Sequence, residues 1–217
     1  MVKILDLMPA RVAPVVLAAG ESVRMGHPKA LLPLRGGTFL SAILDTLEAL
    51  DLDAPFVVLG GHTAEIAPSL SRRQVRIVLN PDFKQGQLSS IQRALGALGP
   101  EASCALLWPV DQPGVSQALV QDLVARYRET GAPLVLPLCG GRRGHPAIVA
   151  RALFEELLAT PAERGAKEVI LRHEGEMALV ETAETAAILD IDTPEDYLRF
   201  TGESLASALE RARSQGR

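Results

Sequence analysis

Three aspartates are placed where a cation could be held. Asp111 closes the run Trp108-Pro109-Val110-Asp111-Gln112-Pro113, directly after an apolar stretch. Asp190 and Asp192 stand two apart in Leu189-Asp190-Ile191-Asp192-Thr193-Pro194. If that segment is a strand, both carboxylates point to one side. Two carboxylates at the end of one apolar strand need compensating charge, because burying unpaired charge is costly, and a magnesium ion supplies it. Plainer roles fit the same residues: Asp111 as a turn former, and Asp192 or Thr193 as the cap of a helix that begins at Pro194.

The opposite charge gathers near the other end of the chain. Ala18-Ala19-Gly20-Glu21-Ser22-Val23-Arg24-Met25-Gly26-His27-Pro28-Lys29 combines small residues, two glycines and two cations. Gly20 and Gly26 let backbone N–H groups approach an anion closely. Arg24 and Lys29 add two positive charges, and Arg35 a third. The spacing matches neither the P-loop nor GxGxxG. On spacing alone, an ordinary βα turn with solvated charges fits equally well. A second polar group, Gly86-Gln87-Leu88-Ser89-Ser90 after Asn80-Pro81-Asp82, sits at a helix start, where free N–H groups and short polar side chains can meet a ligand or simply cap the helix. A third, Gly140-Gly141-Arg142-Arg143-Gly144-His145-Pro146, reads as a hairpin tip without a nearby acid, with His145 as a turn histidine.

Composition narrows the chemistry. The 217 residues carry 22 basic and 26 acidic side chains, a net charge of −4. That argues against a nucleic-acid duplex as partner, whose electrostatic footprint is basic. Cys104 and Cys139 are too few and too separated for a disulfide framework or thiolate site. His27, His62, His145 and His173 show no zinc-protease spacing. The apolar N-terminus is short and broken by Asp6, unlike a secretory signal, and no stretch reaches a membrane span. The expectation is a cytoplasmic protein with no membrane partner.

The elements that must position these residues alternate. Strands are expected at Val12–Ala18, Pro55–Leu59, Val75–Leu79, Cys104–Trp108, Leu134–Leu138, Ala147–Val149 and Ala178–Glu181, and a further one at Ala187–Ile191. Helical spacing appears at Thr38–Leu50, His62–Leu70, Leu88–Leu98, Ser116–Arg128, Ala152–Leu158 and Ala166–Arg172, and again from Pro194. Such alternation predicts right-handed crossovers and a three-layer α/β/α, Rossmann-like fold with a mostly parallel sheet. Ligands of such sheets bind beyond the carboxyl ends of the strands. Residues 1–202 are expected to form one domain, and 203–217 a tail that is a frayed helix or a mobile end.

The five motifs together resemble the nucleotidyltransferases, and within them the molybdenum cofactor cytidylyltransferase family. Leu17-Ala18-Ala19-Gly20 with Ser22, Arg24-Met25-Gly26 and Lys29 is similar to that family's signature loop. The later motifs extend the resemblance over residues 12–200. It implies Lys29, Arg24 and Asp111 as catalytic residues. It implies a nucleotide held by Leu17, Ala18, Ala19, Gly20, Arg24, Lys29, Gly86, Gln87, Ser89 and Ser90. It implies Mg2+ on Asp111 and Asp192, with Asp190 as a further candidate ligand, and the pterin beside His145, Arg142 and Arg143. The implied reaction is CMP transfer from CTP to the molybdopterin cofactor, with a molybdenum hydroxylase or its accessory protein as recipient. Two features depart from the wider pattern. Val110 stands where many nucleotidyltransferases carry Gly, and Ala19 stands where guanylyltransferases have Gly, so its methyl favours CTP over GTP. The alternatives are GTP, a sugar phosphate or other phosphate acceptor, and a non-catalytic protein that holds the cofactor.

Overall fold

A computed structural model describes residues 10–215. In chain order the elements are β1 (Val12–Ala18), β2 (Pro33–Leu34), β3 (Gly37–Thr38), α1 (Phe39–Glu48), β4 (Phe56–Leu59), α2 (Thr63–Ile66), β5 (Arg76–Leu79), α3 (Gln87–Ala97), β6 (Cys104–Pro109) and α4 (Gln117–Thr130). They continue with β7 (Leu134–Cys139), β8 (Arg142–Arg143), β9 (Ala147–Ala150), α5 (Phe154–Ala159), α6 (Ala166–Arg172), β10 (Ala178–Glu181), α7 (Pro194–Thr201) and α8 (Leu205–Gln215). The apolar N-terminus read above falls largely on residues 1–9, outside the described residues.

The main sheet runs β10-β7-β9-β6-β1-β4-β5, with β8 hairpinned onto β7. The pairs β1–β4, β1–β6, β4–β5 and β7–β10 are parallel. β9 runs antiparallel between β6 and β7, so the sheet is mixed but mostly parallel. Every residue of β1 is buried, because both faces of this central strand are covered. Val12, Val16 and Ala18 face one way, onto Leu40, Ile43, Leu44 and Leu47 of α1 and the apolar side of α4. Val15 and Leu17 face the other way, onto Leu88, Ile91 and Leu95 of α3 and onto α5. Period two in the strand thus meets helical spacing in both covering layers.

Helix starts follow their side chains. Thr38 and Ser41 form a reciprocal capping box at α1, Thr193 and Asp196 another at α7, and Ser116 caps α4. Each satisfies N–H groups that a helix start leaves open.

Two expectations are corrected. Ala187–Ile191 is not a strand: Thr185–Ile188 forms a 3-10 turn and the following residues are irregular. Among the described residues no ladder partner meets them, and Ala187 instead offers its carbonyl to His145 N–H at 2.8 Å. The segment after Gly202 contains α8, which is seated rather than loose. Leu205 and Ala208 are buried with Met25, Leu32, Leu34, Phe39, Ile191 and Tyr197 in a third apolar cluster. Gly202 adopts the left-handed conformation that ends α7 and turns the chain back.

Candidate active site

The strand order reverses at β1, with β4 on one side and β6 on the other, which places a crevice beyond their carboxyl ends. A cavity of about 380 Å³ opens there. Its walls come from four places: residues 17–20 at the end of β1, the loop with Ser22, Arg24 and Lys29, the start of α3 with Gly86, Gln87 and Ser90, and Asp111 with Asp192. Val23, Pro28, Ile66 and Phe83 also line it.

At its base, Lys29 Nζ donates to Asp111 Oδ2 at 2.9 Å and to Asp192 Oδ1. Arg24 pairs with Asp192 Oδ2 at 2.9 Å. Residues 82 and 163 positions away from Lys29 thus meet at one ammonium. Burial pulls the Lys29 ammonium towards deprotonation, but the two carboxylates outweigh it and its pKa rises. Burial also disfavours the Asp192 carboxylate, yet Lys29 and then Arg24 prevail and hold its pKa down. By formal charge, the two cations and two carboxylates sum to zero. The charge excess expected of Arg24 and Lys29 is therefore already matched, and Arg35 does not add to it. Arg35 lies on the β2–β3 turn, beside Tyr197, Glu203 and Arg211, away from this cavity.

Above the ion cluster is a row of unpaired donors. Among the described residues, no protein acceptor meets the backbone N–H of Gly20, Glu21, Ser22, Val23 or Arg24, nor those of Gln87 and Leu88 at the start of α3. The loop is held in this open form by its own side chain: Ser22 Oγ accepts from Lys29 N–H at 3.0 Å while Ser22 adopts φ 53°. Gly20, Ser22, Val23, Arg24 and Gln87 line the cavity, and unpaired backbone N–H groups beside a cavity suit an anion.

Other sequence candidates fall elsewhere. Ser89 is committed inward, accepting from Asn80 Nδ2 at 2.9 Å and donating to Gly86 O at 2.7 Å. Ser90 shares Asn80 Nδ2, also at 2.9 Å, but reaches the cavity wall. Buried Asn80 is thus the fastener of this wall, legible only as part of Asn80-Pro81-Asp82. Asp190 stays outside the ion cluster and accepts from Gln112 Nε2 at 2.7 Å, since its segment is not the strand that would align it with Asp192. His145 borders a smaller apolar cavity that shares Leu17 and Gln87 with the main one. Burial lowers its pKa, only partly offset by Asp190 and Asp111, so it is neutral at pH 7. Arg142 and Arg143 are exposed on β8 and do not line the main cavity. Arg143 does have an acid partner, Glu174, supplied from 31 residues further along the chain.

The two aspartates suit a hard divalent ion. They already converge on one cation and offer carboxylate oxygens, the donor type that magnesium and manganese prefer. Among the described residues no cluster of three metal-binding side chains exists. That fits an ion completed by phosphate and water rather than an all-protein cage.

The family model of the MobA-like NTP transferase domain matches residues 14–177. The chain belongs to the MobA-like NTP transferase family. It is accordingly a nucleotidyltransferase of that family, with the Rossmann-like fold its structural neighbours share. The molybdenum cofactor cytidylyltransferase of Escherichia coli K12 is 30% identical over 186 residues, covering 85% of this chain and 92% of its own. Nicotine blue oxidoreductase of Paenarthrobacter nicotinovorans is 30% identical over 198 residues, covering 86% and 94%. A probable molybdenum cofactor guanylyltransferase of Mycobacterium ulcerans is 30% identical over 187 residues, covering 85% and 90%. Among solved structures, a Mycobacterium sp. strain JC1 homologue of a Mycobacterium tuberculosis protein superposes with TM-score 0.79 at 33% identity, covering 94% of this chain and 99% of that one. The M. tuberculosis protein in complex with manganese superposes with TM-score 0.73 at 27% identity, covering 89% and 100%.

Proposed function

We propose that this family member transfers CMP from CTP to the terminal phosphate of the molybdopterin cofactor and releases pyrophosphate. The observation that carries the reading is the convergence of Lys29, Arg24, Asp111 and Asp192 beneath the unpaired N–H groups of residues 20–24. The E. coli cytidylyltransferase relative supports the choice of base and acceptor. An oxygen of the acceptor phosphate attacks the α-phosphorus, the bond to the bridging oxygen breaks, and pyrophosphate departs. That oxygen is already nucleophilic, so no side chain need be activated, and buried Cys104, its thiol pushed up to about 12 by burial, takes no part.

Asp111 and Asp192 would hold magnesium, which when bound neutralises phosphate charge. The chain's own contribution is positioning and electrostatics. Backbone N–H groups of the loop hold the β- and γ-phosphates, Arg24 and Lys29 face the charge that develops on the leaving pyrophosphate, and Gln87 with Ser90 meets the nucleoside. A triphosphate with one divalent ion carries roughly −2 by formal counting. The four-residue cluster adds nothing to that sum, so the N–H donors carry the remainder. Neutral His145, beyond Leu17 and Gln87, stands on the acceptor side. A non-catalytic role as a cofactor holder would leave the Lys29–Asp111–Asp192 convergence without a purpose.

GTP is the second candidate, favoured by the guanylyltransferase relative. Pyrophosphate release measured with CTP, GTP, ATP and UTP, with and without molybdopterin cofactor, tests both readings. Release should need CTP and the cofactor and should vanish in Asp111→Ala. Equal turnover of CTP and GTP would remove the base assignment, and activity surviving in Asp111→Ala would remove the metal site.

A further inference from the structure

The turn after β4 grips the phosphate loop from outside the cavity. Gly61 N–H donates to Ala19 O at 3.1 Å. His62 Nε2 lies 2.8 Å from the carbonyl oxygen of Glu21, and His62 Nδ1 lies 2.7 Å from Glu65 Oε1. Both partners are pure acceptors. A neutral imidazole has one N–H and can satisfy only one of them, whereas an imidazolium satisfies both. The approach is too close for a side chain at position 60, where a Cβ would lie 2.6 Å from Ala19 O.

The gripped carbonyl matters for what lies on its other side. In a trans peptide the N–H of Ser22 points opposite to the carbonyl of Glu21. Ser22 lines the cavity, has no protein acceptor for its N–H among the described residues, and stands in the left-handed region at φ 53°. A non-glycine residue persists there only when its surroundings over-determine it. Two anchors do so: Lys29 N–H on the Ser22 hydroxyl, and His62 on the Glu21 carbonyl.

We propose that His62 is a positioning residue for triphosphate binding, which in its imidazolium form locks the Glu21–Ser22 peptide so that the loop's N–H groups face the phosphates. This rests on the nucleotidyltransferase reading above. The groups facing His62 are Glu65, the Glu21 carbonyl and, more distantly, the Glu21 carboxylate, which pairs with Lys84 at 3.4 Å. The Glu21 carbonyl, then Glu65, raise its pKa above the usual histidine value. The grip is therefore complete at and below about pH 6.5 and weakens as pH rises through the raised value.

The test is calorimetric binding of CTP, GTP, ATP and UTP in turn, with magnesium, to the full chain and three variants whose folding is checked by circular dichroism. His62→Ala should weaken binding of the preferred triphosphate about tenfold, the scale of one lost hydrogen bond. His62→Gln, whose amide can still donate to the carbonyl, should restore most of the affinity. Across pH 6 to 9 the wild type should lose affinity relative to His62→Gln, which itself corrects for titration of the triphosphate. Glu65→Gln should move that loss to lower pH. If no triphosphate binds the wild type, the nucleotidyltransferase reading falls and this one with it. If one binds and His62→Ala matches the wild type, or the wild-type and His62→Gln profiles are parallel, the role of His62 alone is overturned.

Discussion

At the scale of residues, the decisive contacts join positions far apart in the chain. Lys29 neutralises Asp111 and Asp192, which would otherwise repel each other across the crevice. Asp192→Asn removes one of Lys29's two carboxylate partners and the one Arg24 has among the described residues. It should lower kcat/KM by roughly 10²–10³-fold, the size found when one electrostatic group at a reacting centre is lost, with little change in melting temperature. Steady-state kinetics beside a thermal melt checks this. A second histidine makes a separate prediction. His173 sits between Glu156 Oε2 at 2.7 Å and Glu176 Oε1 at 2.8 Å, and these carboxylates, Glu156 first, raise its pKa. A folded-state value above the unfolded one means that protonation stabilises the fold. Its contribution is fully present below the unfolded value near pH 6.5 and is lost as pH climbs through the raised folded value. The difference in melting temperature between wild type and His173→Asn should therefore shrink from pH 6 to pH 9. A constant difference would show that the bridge is not ionic. Charge reversal at Arg142 and Arg143 gives a third measurement. If the KM for pterin is unchanged, neither side chain holds that substrate.

At the scale of elements, the third apolar cluster joins parts that the sequence presents separately. Met25 comes from the phosphate loop, Ile191 from beside Asp192, Tyr197 from α7, and Leu205 and Ala208 from α8. Leu205→Ala should cost about 2–4 kcal/mol, as for a leucine deleted from a packed site, and should weaken triphosphate binding as well. A mutant that loses stability but binds normally would show that α8 is only a cover. The pattern of apolar residues made most of these elements legible. Val12–Ala18 stands at its expected bounds because its buried run and strand length agree, and Ala178–Glu181 also stands at its expected bounds as a half-buried edge strand. Ala187–Ile191 misleads because its apolar residues do not share one sheet: Ala187 packs in the core cluster with α1 and α4, Ile191 in the third cluster, and Leu189 is exposed. The apparent strand spacing of Asp190 and Asp192 fails with it, and the two carboxylates part company. Lys29 and Asp111 were legible as residue types in informative places, but their ion pair was not, since nothing local encodes a contact across 82 positions. His62 was hidden for a different reason. Glu65 is in view three positions on, but the partner that ties His62 to the loop is a backbone carbonyl, which leaves no mark in side-chain spacing.

At the scale of the whole molecule, the net charge of −4 says little about the ligand, because charge is sorted locally. The cavity sets a cluster whose formal charges sum to zero beside a row of backbone donors. Triphosphate affinity should therefore fall sharply when divalent ions are chelated, which calorimetry with and without chelator measures. If affinity is unchanged, Asp111 and Asp192 serve only to hold Lys29. Among the described residues no helix is long and apolar enough to cross a membrane. The sheet itself carries a further consequence. Because β9 runs against its neighbours, Ala147 lies beside Leu107, near the carboxyl end of β6, and the hairpin before it, residues 140–146, emerges at the crevice. In an all-parallel sheet the segment leading into a strand would open at the far end. One reversed strand thus brings a loop rooted in β7 and β9 to the same crevice as the loop that follows β1. Under the proposed function, this hairpin is where relatives that use different acceptors would differ.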